Sequence, residues 1–162
     1  MRLKSLVILF CFTLTLLANE ASSFKERRYS YALDTEIFFE GFITFHDASI
    51  MIEYVKPESK VLTYFEEKLS IQDEKGFWSV DAQQMPSLSY LFMILKAVHE
   101  QNTLLLERFF DATTQENQTK LLPKEAVANL LEEVIITYQN KHLHSLHVKM
   151  KNKDRIEIEI LD

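Results

Sequence analysis

Between residues 37 and 45 every second position is apolar or bare: Ile37, Phe39, Gly41, Ile43 and Phe45, with Glu40 and Thr44 opposite. A period of two belongs to an extended strand with one face against a core; a helix would scatter that set around its axis. Asp47 then allows a turn, after which Ile50, Ile52 and Tyr54 face one way and Ser49, Met51 and Glu53 the other. Lys56-Pro57-Glu58-Ser59 breaks the pattern, and short strands follow at residues 60–65, 69–72 and 77–80. Gly76, in the turn Asp73-Glu74-Lys75-Gly76, suits the left-handed position of a bulged hairpin loop. The same alternation closes the chain, where Ile156, Ile158 and Ile160 interleave with Glu157 and Glu159 behind the turn Lys151-Asn152-Lys153-Asp154.

A first strand over residues 24–33, two strands flanking residues 116–118, and closing strands at 134–139, 143–150 and 155–161 complete the pattern. The spacing predicts a largely antiparallel sheet of about nine or ten strands, twisted and curled. Helical periodicity takes over only in the middle. Leu88, Leu91, Phe92, Leu95 and Val98 recur at helical spacing behind Ser87, which can cap a helix running to Glu100. A second short helix spans residues 103–110, capped by Asn102 or Thr103, with Leu106, Phe109 and Phe110 on its buried side, and residues 124–133 suit a helical turn or two. The fold class is therefore mainly β with helical cover. The apolar helix is the natural lid for the concave face, with either a packed core or a pocket beneath it.

The chain opens with Arg2 and Lys4, runs uncharged from residue 5 to residue 18 and turns polar at Asn19-Glu20, the layout of a secretory signal peptide. The run is shorter than the roughly 20 residues a membrane span prefers, so the reading is a cleaved signal at residues 1–18 and one domain at 19–162. Cys11, the only cysteine, lies inside that run, not behind small residues at its end where a lipid-accepting cysteine would stand. With the signal removed the chain has no thiol and forms no disulfide, so its fold rests on packing. A domain of this size buries roughly two thirds of the surface its unfolded chain exposes. The whole chain carries a net charge of -6, and removing Arg2 and Lys4 leaves 16 basic against 24 acidic residues. That balance opposes phosphate backbones and anionic head groups, so nucleic acid is not an expected partner.

Enzyme chemistry finds little to stand on. Gly41 and Gly76 are the only glycines, which leaves no phosphate-cradling loop, dinucleotide fingerprint or nucleophile elbow. His142, His144 and His147 resemble a metal cluster, but strict strand alternation puts the first two on one face and the third on the other, so no metal or other cofactor is assigned. His46-Asp47 reads as a turn, Glu157 and Glu159 as the wet face of a terminal strand, and Asn117-Gln118-Thr119 as a loop that happens to match the N-glycosylation pattern. The apolar face is what remains, and in any half-buried sheet such a face is first of all core.

The order Phe24-Lys25-Glu26-Arg27-Arg28-Tyr29, Leu33, Gly41-Phe42-Ile43-Thr44-Phe45, Ile52-Glu53-Tyr54, Lys56-Pro57, Leu69-Ser70-Ile71, the helical stretch 86–110 and Leu121-Leu122-Pro123 resembles the LolA family of periplasmic lipoprotein carriers, most closely a short LolA-like branch. The resemblance implies an open, curved antiparallel half-barrel with helices over its concave face. It implies a periplasmic, non-enzymatic, monomeric carrier taking acylated lipoprotein or glycolipid cargo from an inner-membrane exporter to an outer-membrane acceptor. The implied lipid-binding residues are Phe39, Ile43, Phe45, Ile52, Tyr54, Leu62, Tyr64, Leu91, Phe92 and Leu95. The opposite parity between residues 60 and 65 would put Val61 and Phe65 there instead of Leu62 and Tyr64. Met93, with Phe92 and Leu95, suits a movable lid that repacks around different chains. Where the family places a lid-latching Arg-Pro this chain reads His46-Asp47-Ala48, and it stops at Asp162 without the carboxy-terminal segment of the longer carriers. The alternative class is a non-enzymatic periplasmic sensor or envelope assembly module that uses the same sheet to bind protein.

Overall fold

The structure, a computed structural model, describes residues 21–161; the expected signal peptide lies outside the described residues. The elements are β1 (Ala21–Ser30), β2 (Thr35–Phe45), β3 (Ser49–Lys56), β4 (Lys60–Phe65), β5 (Lys68–Asp73), β6 (Gly76–Asp81), a 3-10 turn (Ala82–Gln84), α1 (Pro86–His99), α2 (Thr103–Phe109), β7 (Phe110–Gln115), β8 (Gln118–Pro123), α3 (Glu125–Ala128), β9 (Leu131–Gln139), β10 (His142–Met150) and β11 (Arg155–Ile160). The strands form one antiparallel sheet in the order β6-β5-β4-β3-β2-β1-β11-β10-β9-β8-β7, open at both edges. Two meanders meet where the first and last described strands pair, Phe24 opposite Ile160 and Glu26 opposite Ile158. This is the curved, unclosed sheet with helical cover that the pattern and the resemblance imply.

Alternation sets the two faces as expected. Ile43, Ile52, Leu62 and Ile71 are registered neighbours across β2 to β5 and all are buried. Leu62 and Tyr64 therefore take the concave side, and Val61 and Phe65 the other. Ile158, Leu146 and Ile136 continue the inner face through the second meander. Helix α1 closes over it, burying Leu91, Phe92, Ile94, Leu95, Ala97 and Val98. Each large side chain so buried contributes about 1.5–3 kcal/mol of transfer free energy, which is what holds lid to sheet in a chain whose described residues contain no cysteine.

Several local expectations are corrected. The sheet has eleven strands among the described residues, not nine or ten. The first strand starts at Ala21 and ends at Ser30, because residues 31–34 form the hairpin turn. Ser87 does not cap α1: Met85 holds the cap position, Pro86 takes the first helical turn, where its missing N–H is no loss, and Ser89 Oγ donates to the carbonyls of Ala82 and Met85. Asn102 does cap α2, accepting from the Leu105 amide at 3.1 Å. The helical segment expected at 124–133 shrinks to Glu125–Ala128, since β9 already starts at Leu131 to pair with Met150. A bulge at His144 breaks the alternation in β10, so His144 and His147 border the same groove on the outer face.

Gly41 sits where β2 and β3 approach most tightly. A register shift leaves Val55 without a partner on β2, and a Cβ on Gly41 would lie 1.9 Å from the Glu53 carbonyl oxygen and 3.1 Å from Phe24 Cε1. Over that bare position Phe24 and Tyr54 pack edge to face, with ring centres 5.6 Å apart.

Candidate functional site

The ten residues expected to contact lipid all lie on the concave face of the sheet or on α1. Ile43, Ile52, Tyr54, Leu62, Leu91, Phe92 and Leu95 are buried in the continuous core, and Phe39, Phe45 and Tyr64 pack against its margin. They are brought together, but seven of them touch each other more than they touch open space. Phe92 anchors the lid, stacking on Tyr64 with ring centres 5.4 Å apart and planes within 13°.

Open space lies at the edge of the lid. A groove of about 1050 Å³ runs between α1, α2, the turn joining β4 to β5, and the 3-10 turn. Its apolar wall is Tyr64, Tyr90, Met93, Leu105 and Phe109, and its rim alternates Glu66, Glu67 and Asp81 with Lys68, Lys96 and Arg108. Tyr90 meets Phe109 edge to face at 6.1 Å, and the Arg108 guanidinium lies over the Phe109 ring at 5.4 Å. Burial, assisted by Glu67, pushes the Tyr64 hydroxyl above its ordinary range. Pockets for small ligands span about 300–1,000 Å³, and this groove lies just above that range. Of the expected residues only Tyr64, together with Met93 on the lid, faces it. Tyr90, Leu105 and Phe109 were missed because their spacing is that of ordinary helix cores.

Beside the His46-Asp47-Ala48 corner, Phe45 stacks flat on His99, the last residue of α1, at 3.9 Å and 4°. The lid is fastened there by two rings. Burial pushes His99 below its ordinary range; Glu100 opposes this, while Lys96 and His142 add to it.

A polar cluster interrupts the inner face. The Glu26 carboxylate is fully buried, accepts from the Tyr54 hydroxyl at 2.8 Å and is paired with Arg28, whose Nη2 donates to Tyr54 Oη at 2.8 Å. The Arg28 guanidinium also lies 4.5 Å from the centre of the Phe39 ring. Burial and the neighbouring Glu26 carboxylate push the Tyr54 hydroxyl far above its ordinary range, beyond any physiological ionisation. Burial works against the Arg28 charge, but Glu26 and Tyr54 outweigh it and hold the guanidinium above its usual range. Glu26 and Arg28 were not expected in the site. The signal was their parity: both alternate with Lys25 and Arg27 and so share the face of Phe24.

The outer face carries a second, smaller groove of about 750 Å³ bordered by Arg27, Phe38, Glu40, His144, His147, Glu157 and Glu159. Two of its charged residues are paired, Arg27 with Glu157 at 2.5 Å and Glu40 with Lys56 at 2.8 Å. No protein-family model matches the chain and no curated protein matches it.

Proposed function

We propose that this chain is a periplasmic carrier of the LolA kind that shelters acyl chains of lipoproteins or related lipids between lid and sheet, without enzymatic chemistry of its own. The observation that carries the reading is the groove at the lid margin, apolar along Tyr64, Tyr90, Met93, Leu105 and Phe109 and continuous with the core beneath α1. An acyl chain leaving a membrane forfeits about 0.8 kcal/mol per CH₂, on the order of 10 kcal/mol for 16 carbons. A carrier has to return most of that, which demands an apolar wall of this kind, and it has to release the chain again, which favours adaptable side chains such as Met93 over a rigid cavity. In this reading α1 shifts to enlarge the groove, and the seven packed residues become lining as it does. Cargo would come from an inner-membrane exporter and pass to an outer-membrane acceptor, as the resemblance implies.

Those seven packed residues equally favour a second reading, a protein-binding sensor or envelope assembly module whose core stays closed. Native mass spectrometry of protein purified from periplasm without detergent separates the two. A near-stoichiometric lipid or acylated peptide supports the carrier; an unliganded mass that also refuses added lipid refutes it. Met93→Asp is the matching variant, expected to lower lipid occupancy at least tenfold while the protein stays folded. Phe92→Asp is unsuitable, because Phe92 is completely buried and its loss would unfold the lid.

A further inference from the structure

We infer that the end of the sheet formed by the β1–β2 and β10–β11 hairpins docks on a bilayer containing anionic phospholipid. Four large apolar side chains crowd the first hairpin and are bare: Tyr31 is 51 % exposed, Leu33 73 %, Ile37 49 % and Phe38 63 %. At about 3.4 Å per residue all four lie within about 14 Å of the tip. Scattered exposed leucines are ordinary, but these four gather around one hairpin end, Tyr31 and Leu33 in its turn and Ile37 and Phe38 on opposite faces of β2, so that the end is apolar on both sides. The second hairpin lies directly beside it, with Tyr29 opposite Arg155 in the ladder and the Tyr31 amide donating to Asp154 Oδ1 at 2.8 Å.

That neighbour is basic. In a chain with a net charge of -6, the seven residues 149–155 hold Lys149, Lys151, Lys153 and Arg155 against the single acid Asp154. Of the acids at this end, Glu36 lies 3.6 Å from Arg27, while Asp34 and Asp154 accept from the neutral Tyr29 hydroxyl and Tyr31 amide and keep their charge. Lys149 is held by Glu132 at 2.6 Å. Lys151, Lys153 and Arg155 form no ion pair with any carboxylate among the described residues. Lys153 Nζ instead rests 4.4 Å from the centre of the Tyr31 ring, and Arg155 lies 4.5 Å from that of Tyr29. A cation seated on a ring keeps its charge and sheds part of its water, the state in which it meets a lipid phosphate most readily. The chain-wide negative charge argues against anionic membranes, but at a Debye length of about 8 Å only nearby charges count, and at this tip the unpaired cations Lys151, Lys153 and Arg155 outnumber the unpaired carboxylates Asp34 and Asp154.

Apolar tip and basic collar together match an interfacial anchor: Leu33 and its neighbours enter the acyl boundary while Lys151, Lys153 and Arg155 stay among the head groups. Ile37 lies on the concave-side parity, next to Phe39, so the docked end leads onto the inner face of the sheet. The inference stands apart from the carrier reading, since a protein can rest on a bilayer without extracting anything from it.

Flotation of the full chain with phosphatidylglycerol–phosphatidylethanolamine vesicles, against neutral phosphatidylcholine vesicles, tests it. Binding should favour the anionic vesicles and weaken between about 0.05 and 0.5 M salt. Leu33→Asp should weaken it at least about tenfold, and Lys153→Gln combined with Arg155→Gln by about 25-fold, removing the preference for anionic lipid. Since an uncleaved apolar run at residues 5–18 would itself enter vesicles, a local reporter isolates the tip: Leu33→Trp in a Trp78→Phe background should shift its emission to the blue and be quenched by brominated acyl chains. A tip tryptophan that stays in water while the protein is vesicle-bound overturns the inference. So does binding indifferent to lipid charge, or no vesicle binding by a chain whose tip instead mediates self-association in light scattering.

Discussion

Gly41→Ala is the most demanding test of the packing described above. The added methyl carbon would start 1.9 Å from the Glu53 carbonyl oxygen and 2.9 Å from the carbonyl carbon, and both are backbone atoms of a central strand. Relief requires β3 to retreat by more than 1 Å at its bulge, by the ordinary contact distances of nonbonded atoms, which run to about 3.5 Å. Tyr54 pairs with Gly41 on β3, so that retreat pulls its hydroxyl from Glu26 and its ring from Phe24. Overpacking costs about 1–3 kcal/mol, and the weakened buried hydrogen bond adds about 1 kcal/mol or more, so the expected loss is about 3 kcal/mol. In urea, with a denaturant slope of about 2 kcal/mol/M, the midpoint should fall by about 1.5 M. Gly76→Ala is the control: nothing lies within 4 Å of its Cβ, and only the φ of +137° penalises it, by about 1 kcal/mol. A Gly41→Ala midpoint within about 0.3 M of the parent, or a loss no larger than that of Gly76→Ala, would refute the close-approach argument.

Phe92→Ala should cost about 3–5 kcal/mol in thermal or chemical unfolding, as expected for a completely buried ring; a loss below about 1 kcal/mol would mean that Phe92 faces an open cavity. Arg28→Ala leaves the Glu26 carboxylate with Tyr54 as its remaining side-chain partner, and should destabilise by about 2 kcal/mol, less than a dry pair would lose because the arginine side chain is about a third exposed. A double-mutant cycle with Glu26→Gln should return a coupling of at least about 1 kcal/mol, and simple additivity would show that the pair does not interact. His99 is pushed below 6.5 in the folded protein, chiefly by burial, so the folded state holds its proton less well than the unfolded chain. That contribution is complete above about pH 6.5 and is lost as the pH falls through the lower folded value. Solvent screening keeps it under about 1 kcal/mol. His99→Phe should preserve the stack and flatten the acid side of the melting-temperature profile; an unchanged profile would exclude His99 as its source.

The inner face was legible because strands expose their environment through parity: Ile37 to Phe45, Ile50 to Tyr54 and Ile156 to Ile160 each show which side is dry without reference to any other segment. The helix lid was legible for the same reason at its own period. Boundaries were less so. Ser87 has the chemistry of a cap, but Pro86 can start a helix without one, and residues 129–133 look helical until the ladder with β10 claims them. The histidine parity failed at a bulge, which alternation cannot foresee. Within the site, Glu26 and Arg28 looked like two more surface charges in a charged strand, since nothing local says that Tyr54, 28 residues later, supplies a hydroxyl to the same carboxylate.

Side-chain periodicity alone determined that this chain builds an antiparallel sheet with one apolar face and a helical cover, because each strand's burial pattern follows from its own alternation. Only the tertiary structure decided which of those apolar residues are core and which border open space. It also decided that the lid is pinned by Phe45 on His99, and that two distant hairpins bring Tyr31 and Leu33 beside Lys153 and Arg155. Those outcomes depend on strand order, on β1 pairing with β11, and on how far α1 reaches across the curved sheet. Each couples residues more than 50 positions apart, which no local pattern encodes.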